Sequence, residues 1–370
     1  MTAVQLIAGL VLLVAGGELL VRGASRLALA IGLSPLVVGL TVVAFGTSSP
    51  ELAVSVQAIG AGNVDIALGN VVGSNIFNVL FILGLSALIT PLVVDGQLIR
   101  QEVPVLIGMS VLVFLMAQDG GIGRAEGLVL VGLMVTYTAL LVWQSRRQTQ
   151  ALRDEYAAET HVAAASGKAT GIPLQLTLIA GGLVLLVAGS RLLVEAASTI
   201  ARGFGVSELV IGLTIVAAGT SLPEVAASVT AALRGQRDIA VGNAVGSCTF
   251  NLLGVLGISA SIAPAPLPVL PAMLSFDLPV MVAVAVACLP VFFTGRMIAR
   301  WEGGVFLAYY VAYTAWLLLD SQQHESLDTY SLVMRTVVLP LTVLTLLIVA
   351  ARAWRARSAA LPGDDESRPP

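Results

Sequence analysis

The sequence predicts an all-α membrane protein: an inverted-topology repeat of 5+5 transmembrane helices with an additional C-terminal transmembrane helix. Three observations predict it. The chain is too apolar for a soluble core, it repeats itself at a fixed offset, and each repeat holds an odd number of spans.

Of 370 residues, 57% are hydrophobic before glycine is counted and 11% are charged. A soluble domain runs at about 45–50% apolar with glycine included and about 25% charged. Mean hydropathy is +0.94. The apolar residues come in blocks: 172–190, 209–233 and 329–351 carry almost no charge. Each is long enough to cross a hydrocarbon core of ~30 Å. Residues 1–30 are apolar from the start with no basic lead, so they read as a first membrane helix, not a cleaved signal. No basic patch interleaves with aromatics, which argues against nucleic acid, and no motif points to a protein partner. Cys248 and Cys288 lie in apolar segments and suggest no disulfide framework.

The repeat organises the chain. GLVLLVAG at 9–16 recurs letter for letter at 182–189, an offset of 173. At that offset, 32–56 matches 205–229 and 65–84 matches 238–257 without a gap. Most matched positions are Gly, Thr, Ser, Pro, Glu or Asn, which chance similarity between Leu/Val-rich helices does not produce. The expected helices are 4–30, 35–61, 65–89, 98–117 and 124–144, then 172–202, 207–233, 238–262, 272–294 and 299–319, with an eleventh at 330–351. The units are thus a first repeat (1–145), a polar linker (146–171) acting as a tether, a second repeat (172–320), an extra helix with a basic end (321–357) and a disordered tail (358–370).

Five spans per half place the two halves upside down relative to each other, the arrangement of many secondary transporters, with a site near the midplane. With the N-terminus outside, one face holds 15 Lys/Arg residues and the other holds only Arg124, Arg191, Arg202 and Arg335. The first face is then cytoplasmic, which puts the C-terminus inside a cytoplasmic membrane.

The first chemical motif is Gly46-Thr47-Ser48-Ser49-Pro50-Glu51, repeated as Gly219-Thr220-Ser221-Leu222-Pro223-Glu224, in the middle of apolar spans. Proline has no N–H and clashes with the carbonyl four residues back, so each helix should break. The break is expected to free carbonyls near Ala44, Thr47, Ala217 and Thr220, to open the restarted helix with proline, and to cap it with Ser49 or with Ser221 or Thr220. Non-helical backbone at membrane depth needs a protein interior or a water-filled cavity. Carbonyls, hydroxyls and a carboxylate together make an all-oxygen set suited to hard cations such as Na⁺ and Ca²⁺. A charge at the membrane centre costs about 2.5–3.5 kcal/mol on insertion scales. No Lys or Arg lies between 27 and 99 or between 203 and 233, so Glu51 and Glu224 lack a nearby partner in sequence. A bound cation would supply one. The competing reading is a protonated or helix-capping glutamate, against which stands the symmetric recurrence of so costly a residue.

The second motif, 69–78, repeats as 242–251. Ser74 and Asn78 lie i, i+4 on one helix face, as do Ser247 and Asn251, and could complete a coordination shell. Gly69/Gly73 and Gly242/Gly246 have G-x-x-x-G spacing, which favours close helix packing. Asn70 and Asn243 read as structural hydrogen-bond residues. Glu18 and Arg22, and with signs swapped Arg191 and Glu195, read as internal ion pairs; Asp65 and Asp238 read as helix-start residues.

GTSSPE with GNVVGSNIFN, and GTSLPE with GNAVGSCTFN, resemble the two alpha repeats of the sodium/calcium exchanger (calcium:cation antiporter) superfamily, prokaryotic type. The resemblance covers residues 1 to about 320. It implies an antiporter rather than an enzyme, without cofactors, carrying Ca²⁺ and Na⁺ (or H⁺) through a ten-helix inverted repeat. It implies that Glu51 and Glu224 bind Ca²⁺ and share Na⁺. Carbonyls of Thr47 and Thr220 would join Ca²⁺, and those of Ala44 and Ala217 would line Na⁺ sites. Ser48, Ser221, Ser74, Ser247, Asn78 and Asn251 would complete the site. Many exchangers carry aspartate at one of the positions matched by Asn78 and Asn251; here both are asparagine, leaving two formal negative charges, enough for one Ca²⁺.

Overall fold

The structure, a computed structural model, describes residues 2–62, 65–160, 171–204, 217–322, 324–345, 348–349 and 351. Its membrane helices are α1 (Thr2–Ile31), α2 (Pro35–Gly60), α3 (Ile66–Ile89), α4 (Leu98–Asp119), α5 (Arg124–Thr160), α6 (Ile172–Gly203), α7 (Ala217–Thr220 and Leu222–Leu233), α8 (Arg237–Ile262), α9 (Met273–Phe293), α10 (Arg300–Ser321) and α11 (Leu327–Thr345). Among the described residues ten helices are long and apolar enough to cross a membrane. The other, α7, is described only from Ala217 onward. The remaining part of its span (205–216), His161 and Lys168 in the linker, Arg352, Arg355 and Arg357, and the tail lie outside the described residues.

Two short ladders demonstrate the inversion. β1 (Leu92–Val93) and β2 (Gly121–Ile122) lie in the α3–α4 and α4–α5 connections; β3 (Leu267–Pro268) and β4 (Met297–Ile298) lie in the α8–α9 and α9–α10 connections. β1 pairs antiparallel with β4, and β2 with β3. Paired connections must share a membrane face. The α3–α4 connection therefore lies opposite its repeat mate, the α8–α9 connection. Helix packing agrees. A Cβ on Gly16 would come 2.8 Å from the Gly182 carbonyl oxygen, and one on Gly9 2.9 Å from that of Gly189. The order of contacts is reversed, so α1 and its mate α6 run antiparallel with backbones nearly touching, which only glycine allows.

α3 and α8 are the most enclosed spans. They carry the serine/asparagine motif, so the fold puts that motif at its centre. The helical backbone of α3 begins one residue before its apolar span, at Asp65, and Asp238 stands in the first turn of α8, where the helix N-terminus favours a carboxylate.

Three expectations are corrected. The fifth helix does not end at 144: α5 continues into the linker as far as Thr160, because no glycine or proline falls between 146 and 160. The last helix starts at Leu327, not 330. Glu18 does pair with Arg22, and also with Arg234 at the end of α7. Arg191 and Glu195, however, are exposed on α6 and form no ion pair with each other. The repeat mate of Arg234 is Ala61, so the second half lacks the cation that completes the cluster in the first.

The membrane-embedded Glu102 is fully buried and saturated. Tyr137 of α5 donates to its Oε2 at 2.6 Å and Gln97 to its Oε1 at 2.9 Å. The second half repeats the device with Tyr313 of α10 donating to Asp277 at 2.8 Å. Removing a partner from a buried polar group costs about 1–3 kcal/mol. Tyr137→Phe is thus expected to lower the thermal midpoint of the purified protein; an unchanged midpoint would show that the phenol does not anchor α5 to α4.

Candidate functional site

Both helices that carry the glutamates are interrupted for a single residue. Ser48 leaves the helical region in α2 (φ −84°, ψ 6°) and Ser221 does so in α7 (φ −91°, ψ 8°). The restarted helices begin at Ser49 and Leu222, so Pro50 and Pro223 occupy the second position, one later than expected. The carbonyl four residues before Pro223 is that of Gly219, and Ser190 of α6 donates its hydroxyl to it. The Ala44 carbonyl is not freed as expected. It accepts the Ser48 N–H at 3.0 Å and the Thr47 hydroxyl at 3.4 Å. Nor does Ser49 cap the restart; it bonds back to the Phe45 carbonyl at 2.8 Å. Ser48 and Ser221 hold the capping positions, but neither caps with its side chain.

Their hydroxyls go instead to carboxylates across the repeat axis. Ser48 donates to Oε1 of Glu224 at 2.9 Å, and Ser221 donates to Oε1 of Glu51 at 2.9 Å. A hydrogen bond to a charged acceptor is worth about 1.5–3 kcal/mol, more than a neutral cap, so the carboxylates win the hydroxyls. Each half thus completes the other's glutamate. Both glutamates are fully buried in the first turn of a restarted helix, whose N-terminal dipole favours negative charge. Neither belongs to an ion pair among the described residues.

The second motif closes around them. Asn70 donates to the Glu51 carbonyl and to Ser55, both at 3.0 Å. Asn243 donates to Ser228 at 2.9 Å and to the Glu224 carbonyl at 3.3 Å, and accepts from Thr47 at 3.1 Å. These two asparagines are structural, as their sequence suggests. The Ser74 hydroxyl also lies 3.4 Å from that of Ser221. What remains is a set of buried atoms with no hydrogen-bond partner: Oε2 of both glutamates, the Ser247 hydroxyl, and both side-chain polar atoms of Asn78 and of Asn251. Buried polar groups without partners are rare in native proteins. Five of these seven atoms are oxygens (both Oε2, the Ser247 hydroxyl and the two asparagine Oδ1), a set of hard donors of the kind that coordinates Na⁺ or Ca²⁺. Ala217–Thr220 is the described segment of α7 that leads into the break at Ser221.

Sequence reasoning missed two features. Asn78 begins a π-helical turn (Asn78–Leu83), and Asn251 begins another (Asn251–Val255). Such single wide turns are frequent at functional sites. Each inserts one residue, which brings Ser86 toward the stripe of Ser74 and Asn78, and Ser259 toward that of Ser247 and Asn251. Ser86 and Ser259 are buried, and their hydroxyls have no partner. Ser25, Ser110 and Ser261, by contrast, bond back to their own helices. The signal was available, since Ser86 and Ser259 stand 173 residues apart like the other mates.

The model of the family described as "Sodium/calcium exchanger protein" matches residues 1–143 and 174–319, most of the chain and both repeats. The chain belongs to the sodium/calcium exchanger family. It is 33% identical over 296 residues to the sodium/calcium exchanger MaX1 of Methanosarcina acetivorans, covering 72% of this chain and 84% of that one. It is 36% identical over 244 residues to the inner membrane protein YrbG of Escherichia coli K12, covering 65% of this chain and 73% of that one. Among solved structures, the sodium-calcium exchanger NCX_Mj superposes with a TM-score of 0.72 at 30% identity, over 85% of this chain and 98% of that one. These findings make the chain a multi-pass helical antiporter. The exchanger family match ends before α11 begins.

Proposed function

We propose that the protein is a secondary-active cation antiporter that exchanges Ca²⁺ for Na⁺ by alternating access, with Glu51 and Glu224 as the shared site. The observation that carries this is the reciprocal pair of buried glutamates, each held through one oxygen by a serine of the other half and each presenting its second oxygen unpartnered. Thr47 and Thr220 supply oxygens to Ca²⁺, Ala44 and Ala217 contribute carbonyls to Na⁺, and Ser48, Ser221, Ser74, Ser247, Asn78 and Asn251 complete the shell. The Ala44 carbonyl, though already bonded within its helix, keeps a second lone pair for an ion. The basic residues gathered on one face support an outer N-terminus and a cytoplasmic C-terminus.

The site chemistry also bears on coupling. Two formal charges balance either one Ca²⁺ or two Na⁺. The exchange is then electroneutral, and an imposed potassium diffusion potential is expected to leave the rate unchanged. Asn251→Asp, which adds a third negative charge, is expected to admit a third Na⁺ and make the exchange electrogenic. Current in the wild type would refute the charge-balance argument.

The decisive experiment is ⁴⁵Ca²⁺ uptake into proteoliposomes preloaded with Na⁺, against Na⁺-free controls at fixed pH. Uptake that requires internal Na⁺ supports Na⁺/Ca²⁺ exchange. Uptake that ignores Na⁺ and follows a pH gradient moves the function to H⁺/Ca²⁺ antiport on the same fold. Uptake that needs no counter-ion at all indicates a channel, and uptake under no condition means another cation is carried.

A further inference from the structure

α11 lies outside the exchanger family match and is attached unusually. It runs antiparallel along α10, held at three points. Tyr309 and Thr342 share a hydrogen bond, Tyr330 donates to the Ala312 carbonyl at 2.8 Å, and Trp316 donates to Ser331 at 3.1 Å. None of the described side chains of α11 is buried. The helix is therefore only partly covered by its neighbours. Between α9, α10 and α11 this leaves a cavity of about 460 Å³ with almost wholly apolar walls. Trp301 and Trp316, both on α10, line it. They stand fifteen residues apart, roughly 22 Å along the helix. The cavity is as long as a lipid tail is extended, not the compact pocket of a soluble ligand.

Arg335 identifies the occupant's other end. It lines the same cavity and is exposed within the α11 span. No hydrogen bond or ion pair engages it among the described residues. The one acid that lines the cavity, Glu302, accepts the Ala299 N–H at 2.8 Å and forms no ion pair with Arg335. A guanidinium at membrane depth without a counter-charge is costly. Arg335 sits eight residues from Leu327, about 12 Å down the helix. Helical side chains tilt toward the N-terminus, so it reaches back toward the face where α11 starts and where headgroups lie.

We propose that the groove between α9, α10 and α11 is a binding site for an anionic phospholipid, whose acyl chain fills the cavity and whose phosphate pairs with Arg335. Arginine matches phosphate oxygens through two parallel N–H donors. α11 then acts as a clasp that holds one lipid against the second repeat. The inference does not depend on which cations are exchanged.

The test uses the purified full-length chain in detergent, titrated with dioleoyl phosphatidylglycerol or dioleoyl phosphatidylcholine and followed by native mass spectrometry. The wild type is expected to retain one phosphatidylglycerol in preference to phosphatidylcholine by about fivefold, the effect of one basic residue at an anionic lipid surface. Arg335→Gln, a change at an exposed position, should abolish the preference while lipid is still retained. Ala283→Phe with Ala287→Phe should fill the cavity and remove retention of both lipids. Chain-brominated phosphatidylglycerol should quench tryptophan fluorescence in the wild type and less in the filled variant. Equal retention of the two lipids, an unaltered preference in Arg335→Gln, or a dimer cross-linked through α11 in place of bound lipid would overturn the proposal.

Discussion

Replacing Glu51 or Glu224 with glutamine, one at a time, is expected to reduce exchange by at least ~100-fold while the protein still inserts and purifies as a monodisperse species. Loss of a supporting contact to a metal ligand alone reduces affinity by about 10–100-fold, and here a ligand loses its charge. Glutamine keeps the shape and still accepts from Ser221 or Ser48 at the same place. The fold should therefore survive, and removing one buried charge that lacks an ion pair among the described residues is expected to stabilise it. Folding and transport move in opposite directions, which separates a site residue from a structural one. Exchange within a few fold of wild type in either variant would remove that glutamate from the site, and a misfolded variant would assign it to structure instead.

Gly246→Ala is expected to have an effect of similar size for a different reason. A Cβ at Gly246 would stand 2.6 Å from both the Cα and the carbonyl oxygen of Leu40, and 2.9 Å from the Cβ of Ala44. Two of these three obstacles are backbone, so no rotamer relieves the clash, and α8 must move away from α2. Overpacking of this sort costs about 1–3 kcal/mol in stability. The functional loss should be larger, because Ser247 is the next residue and Ala44 lies on the facing turn. A displacement of ~1 Å at a preorganised centre can cost about 100-fold. Gly132→Ala serves as control, since a methyl there meets nothing within 4 Å. Equal activity of the two variants, by ⁴⁵Ca²⁺ uptake, would show that the α2–α8 contact does not hold the site.

The inversion and the motif residues were legible because the repeat preserves polar residues at membrane depth, where every such residue is expensive. Glu51, Glu224, Ser74 and Asn78 stand out with their mates in the sequence alone. The bonds between the halves could not. That Ser48 meets Glu224, and not Glu51 three residues away in its own half, depends on how two antiparallel units dock. The helix break was foreseen but misplaced, since proline frees the carbonyl four residues back, and Ser190 claims it at Gly219. The π turns left no trace because an inserted residue changes the register of a helix without changing its composition. The expected Arg191–Glu195 pair failed because i, i+4 spacing permits an ion pair but does not supply the third charge that fixes Glu18 and Arg22.

The crossed serine–glutamate bonds have a consequence for origins. Each half brings one carboxylate and the hydroxyl that bonds the other half's carboxylate. A single half inserted in both headings would meet its own copy across the pseudo-two-fold axis and make the same two bonds. Gene duplication would freeze that dual-topology pair into one chain. After fusion the two copies are free to diverge, as Asn75 and its mate Cys248 have done.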